Sequence, residues 1–158
     1  MEAISPEENP AASTSLYVQT LHELAGLIGL EPSEILKTAS VEAEGIRFYF
    51  QDHTEAEEPA LGVLAEIGEI PAKDESEIFR QLLEANAHLS TQSGSYAIIP
   101  GTSRAALRVH VQLEEGASNG ERILAVLKDH LSTLTAVRHL GTDSMSGHGA
   151  GIVNLALA

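Results

Sequence analysis

From Leu107 to Leu113 the chain alternates without a break: Leu107, Val109, Val111 and Leu113 are apolar, while Arg108, His110 and Gln112 are polar. A period of two fits a half-buried strand and does not fit a helix. Just upstream, Tyr96 to Ile99 is a short apolar run followed by Pro100-Gly101, a turn signal, so the two segments read as a hairpin. Ile46, Phe48 and Phe50 alternate with Arg47, Tyr49 and Gln51 in the same way. Beyond the acidic stretch DHTEAEEP, Leu61 to Ile67 reads as a further strand with less regular alternation.

Between these strands the period changes to that of a helix. Tyr17, Leu21, Leu24 and Ile28 recur on one helical face, and Gly29 with Pro32 marks its end, which predicts a first helix over about Ser15 to Ile28. Asp74 and Glu77 have the spacing of a capping box and open a second helix to about Leu89. Ser118 and Glu121 repeat that spacing before a third helix to about Leu140, with Leu124, Leu127, Leu131 and Leu134 on its buried face. The stretch from Glu31 to Gly45 is read as a connection, with a short helical turn at Ser33 to Lys37. The resulting order is α-β-β-α-β-β-α, with hairpin neighbours and no βαβ rhythm, which predicts an α+β fold with a mainly antiparallel twisted sheet and three helices. Residues 15–140 form a single domain in this reading. Residues 1–14, polar and broken by Pro6 and Pro10, are a mobile arm. Residues 141–158 are a Gly/Ser-rich tail in which Val153, Leu155 and Leu157 alternate as a candidate final strand.

Two of the helices carry more apolar surface than one sheet requires. In IFRQLLEANAHL, Ile78, Leu82, Ala85 and Leu89 form one stripe, and Phe79, Leu83 and Ala87 widen it to an arc of roughly 200°, against about 100° for a helix lying on a single sheet. The first helix is similar, because Leu16 and Leu27 flank its main stripe.

Composition narrows the function classes. With 158 residues the chain has the size of one ordinary domain. Its 9 Lys and Arg against 23 Asp and Glu give a formal net charge of −14, which disfavours nucleic acid and anionic membrane surfaces as partners. The absence of cysteine excludes disulfides, thiol nucleophiles and thiolate metal sites. No apolar run has the length of a membrane span, and the first residues lack the pattern of a signal sequence. A cytoplasmic location is the expectation.

Catalytic chemistry is not legible. The seven histidines include no pair with the spacing of a helical metal motif, and they are read as solvated surface residues. Ser144, Ser146 and His148 lie close together in the tail without a nucleophile elbow to fix them. Glu55, Glu57 and Glu58 lack a calcium-loop pattern. No catalytic, cofactor-binding or metal residue is assigned, and the chain is read as a non-enzyme without a cofactor.

The acidity, the length, the element order, LHELAGLIGL in the first helix, LLEANAHL in the second and the amphipathic closing helix together resemble the type III secretion chaperones of the Tir chaperone (CesT) family over about Leu16 to Leu140. The resemblance implies a homodimer without catalytic activity that binds the N-terminal part of a secreted effector protein in extended form. The secretion-system ATPase is a further candidate partner. It also implies that the second helix and a neighbouring strand make much of the dimer contact, with apolar grooves beside the first helix and on the sheet receiving the client. Excess apolar surface suits such roles. Phe79, Leu83 and Asn86 are therefore candidates for the dimer interface. Leu16 and Leu27 on the first helix, with Phe48 and Phe50 on the first long strand, are candidates for effector binding, and for the two phenylalanines ordinary core is the equal alternative. The alternative is a small regulatory or ligand-binding α+β domain with no secretion client.

Overall fold

A computed structural model of the chain describes residues 14–89 and 94–144. Helix α1 covers Leu16–Ile28. Ser15 caps it by accepting a hydrogen bond from the Val18 N–H at 3.3 Å, and Gly29 closes it in the left-handed region at φ 73°, where a side chain would be strained. Helix α2, Pro32–Thr38, begins on proline, whose fixed φ and missing N–H suit a first turn.

Strand β1, Ser40–Ala43, turns into β2, Ile46–His53. The turn is made by Glu44 at φ 51° and Gly45 at φ 75°, the two positive values of a tight hairpin turn whose twist matches the strands. Strand β3 covers Ala60–Glu69. A 3-10 turn at Ala72–Asp74 leads into α3, Glu75–Asn86. Then come β4, Ser95–Ile98, β5, Arg104–Gln112, and α4, Asn119–Ser144.

The five strands form one antiparallel sheet in the order β1-β2-β3-β5-β4. The α+β class and the antiparallel sheet are as expected, but the described residues form four α-helices instead of three. The extra helix and the extra strand both come from Glu31 to Gly45. The helix α4 continues to Ser144, past Leu140, where the tail was expected to begin. Met1 to Ser13 of the arm, and the tail from Met145 with its Val153, Leu155 and Leu157 alternation, lie outside the described residues.

One face of the sheet builds the main core. Val41, Phe48 and Ala65 share a row, as do Phe50 and Val63, and these side chains pack with Leu21 and Leu24 of α1, Ile35 of α2, and Ile123 and Leu127 of α4. A smaller cluster joins Ile78 and Leu82 of α3 to Ala105 and Ile70. On the opposite face Leu64, Ala106 and Ile99 gather with Tyr49 and Ala97, and none of the described helices contributes to that cluster.

The helix starts match the capping-box positions, but other bonds hold them. Asp74 precedes α3 without a side-chain capping bond; its N–H is used by Pro71 O at 3.0 Å in the preceding 3-10 turn. At α4 the Gly120 N–H donates to Glu23 Oε2 of α1 at 2.9 Å. A Cβ at Gly120 would lie 2.6 Å from Glu23 Cβ and 2.9 Å from Leu24 N, so only glycine permits this approach of the two helices. Asn119 closes the loop before α4, accepting from Glu114 N at 3.1 Å and donating to Glu114 O at 2.9 Å.

Candidate functional site

The end of α1, the strand β1 and the middle of α4 enclose an open apolar groove of about 340 Å³. Ile28 and Leu30 form one wall, Val41 and Ala43 of β1 a second, and Leu124, Leu127 and Leu131 of α4 the third. Leu30 is 40% exposed. The ionisable groups along it are Glu42 and Lys128, and Glu42 is held by Arg47 at 3.0 Å. The groove therefore offers apolar contact rather than reactive groups. Among the described residues β1 is an end strand of the sheet order, so the groove lies beside a strand edge where an extended peptide can add its backbone, although the Ser40 carbonyl there already accepts from Thr38 Oγ1 at 3.1 Å.

The residues expected to bind a client are divided by the fold. Leu27 is 48% exposed and accessible. Leu16 is partly buried against the main core. Phe48 and Phe50 are core residues, 0% and 5% exposed, the second reading the sequence left open for them, so neither presents an exposed side chain to a client. Their alternation on β2 points them at the helices, and their burial stabilises the domain. Phe48 still forms part of the groove wall, beside its cross-strand partner Val41. Leu30 and the β1 edge did not stand out in the sequence. Their signal was Val41 and Ala43 alternating just ahead of a two-residue Glu44-Gly45 turn, too short a run to be distinct beside the longer strands.

A second apolar cleft of about 270 Å³ lies between α3 and β4, lined by Phe79, Leu82, Leu83, Tyr96, Ala97 and Ile98. Leu83 is 70% exposed, and Phe79 is half-buried against the α3 cluster. Asn86 has an intramolecular role that the dimer expectation did not include. Its Oδ1 accepts from Tyr96 N at 2.6 Å and its Nδ2 donates to Tyr96 O at 3.0 Å. One side chain thereby satisfies both outward backbone groups of Tyr96, as a neighbouring strand would, and closes the β4 edge at that residue.

The sheet face opposite the main core is polar around its small apolar cluster. Tyr49 Oη donates to Glu66 Oε2 at 3.2 Å, and Glu66 Oε1 meets Arg104 at 2.8 Å. Two histidines read as separate surface residues come together here: the rings of His53 and His110 have centroids 5.0 Å apart. His53 is the last residue of β2, not part of the acidic loop that follows. Burial first, then the charges of Arg108 and His53, hold His110 below the usual histidine value of 6.5.

Among the described residues, no group of three or more His, Asp and Glu side chains is placed to hold a metal ion, and no helix is long and apolar enough to cross a membrane. The chain matches no protein-family model, no curated protein and no solved structure.

Proposed function

We propose that this chain is a cytoplasmic, non-enzymatic type III secretion chaperone that binds the N-terminal region of one or more effector proteins in extended form and keeps them competent for secretion. The observation that carries the reading is the apolar groove of Ile28, Leu30, Leu124 and Leu131 beside β1, an edge strand of the sheet among the described residues. An extended client segment places alternate apolar side chains in the groove and pairs its backbone with β1. Leu27 and Leu30, the large exposed apolar residues around the end of α1, extend the contact.

The α3–β4 cleft serves the homodimer in this reading. Burying an exposed leucine such as Leu83 contributes about 1.5–3 kcal/mol per side chain, and a twofold axis uses each such residue twice. The net charge of −14 keeps a protein with exposed apolar surface soluble and suits basic client segments.

The test is to purify the chain from its native cytoplasm, measure its native mass and identify what accompanies it. A dimer carrying a secreted protein through that protein's N-terminal region is the expected result. Leu27→Asp with Leu30→Asp should reduce client recovery at least about tenfold, the effect of losing roughly 1.4 kcal/mol of binding, while the dimer persists. A lone monomer, or full recovery by the double variant, would overturn the reading.

A further inference from the structure

We propose that Arg108, His53 and His110 form a binding site for an oxyanion, a carboxylate or phosphate group, on the sheet face opposite the main core. The proposal does not depend on the chaperone reading. It begins with register. Alternation along β5 sends Arg108 and His110 to this face; Arg108 is opposite Leu64 and His110 is opposite Gly62. His53 of β2 is opposite Ala60. Gly62 lies between the two histidines, and a Cβ on it would be 3.2 Å from both Cδ2 and Nε2 of His53. Without that Cβ, the His53 ring lies across β3 and comes within 5.0 Å of His110, centroid to centroid, and within 3.5 Å of Arg108 Nη2, measured from His53 Nε2.

Charge pairing makes the cluster unusual. The other two arginines of the sheet have carboxylate partners, Arg47 with Glu42 at 3.0 Å and Arg104 with Glu66 at 2.8 Å. Among the described residues no carboxylate is within ion-pairing distance of Arg108, although the chain has 23 Asp and Glu. The nearby acids on this face are engaged elsewhere: Glu66 by Tyr49 and Arg104, and Glu58 by Gln112 at 2.7 Å. The Nε–H of Arg108 is buried with no hydrogen-bond partner among the described residues, an arrangement that costs free energy unless an acceptor arrives. Its contact with His53 Nε2, at 3.5 Å, is at the limit of a hydrogen bond.

An oxyanion supplies what is missing. Its oxygens accept from the planar guanidinium fork. Each imidazole that gains a proton becomes a donor on both nitrogens, so anion binding and proton uptake reinforce each other. The groups that bear on His110 are Arg108 and His53, both of which oppose its protonation, as burial does; a bound anion offsets all three. A metal cation at the two imidazoles would instead lie beside the guanidinium and be repelled.

The experiment follows the imidazole C2–H resonances of the intact chain by NMR through a pH titration in chloride, inorganic phosphate or acetate at matched ionic strength. The His110 midpoint should rise by about half a pH unit or more in phosphate or acetate relative to chloride, the direction expected for a nearby negative charge. A rise in phosphate alone identifies phosphate as the ligand chemistry, a rise in acetate alone identifies carboxylate, and each supports the site. Arg108→Gln, with its folding checked by thermal unfolding, should abolish the difference. His53→Gln, at the half-exposed end of β2, should diminish it. Equal midpoints in the three salts, or an undiminished shift in both variants, would overturn the proposal.

Discussion

At the scale of single residues, the contacts that matter most here are close approaches rather than large side chains. Gly120 allows α4 to touch Glu23 and Leu24 of α1, so Gly120→Ala forces the helices apart. Overpacking of this kind costs about 1–3 kcal/mol, and a urea unfolding curve should show the midpoint falling with an unchanged slope. His110 gives a pH prediction. Its value is lowered in the fold from 6.5, so the unfolded chain takes up the proton more readily. The resulting stability is fully present above pH 6.5 and is lost as the pH falls below that value. Thermal unfolding between pH 7.5 and 5.5 should show a declining midpoint, with a flatter decline in His110→Gln. Neither residue stood out in the sequence. Gly120 sits at an ordinary helix start, and His110 is one polar residue among others on an alternating strand, until the register sets it diagonally across β3 from His53.

At the scale of elements, β2, β5 and the apolar stripe of α1 were legible because each buries one face against a continuous core, which writes a clean period into the sequence. The strand β3 was less regular for a physical reason. All six residues from Ala60 to Ala65 are buried, since β3 is the central strand and flanking side chains cover its second face. Of the α2–β1 segment only a helical turn at Ser33 to Lys37 was legible, because each of its elements is short and depends on neighbours for its hydrogen bonds, as in Phe50 N to Ala39 O at 2.8 Å. The α3–β4 joint is held by Asn86. Asn86→Ala removes two hydrogen bonds from the Tyr96 backbone, each worth about 0.5–1.5 kcal/mol. Hydrogen exchange should report it as faster loss of the Tyr96 amide proton, with little change in the β2–β3 ladder. Unchanged exchange at Tyr96 would show that the clamp carries no stability.

At the scale of the whole molecule, the surplus apolar surface on α1 and α3 remains outside after the core is complete, at Leu27, Leu30 and Leu83. Under the proposed function the α3 surplus meets a second copy. Leu83→Glu should then shift the native mass by light scattering from dimer toward monomer, while the circular dichroism spectrum stays that of the folded chain. A retained dimer would remove this face from the interface. The sequence by itself determined the α+β class, the antiparallel pairing and the presence of unused apolar surface, because period, turn chemistry and hydrophobic arc are local properties that each segment carries alone. Only the tertiary structure decided where that surface ends up. It placed Phe48 and Phe50 in the core and Leu30 at the mouth of a groove, turned Asn86 inward to the β4 edge, and set His53 over Gly62 beside Arg108. Those outcomes depend on register and on helix crossings, in which residues far apart in the chain become neighbours.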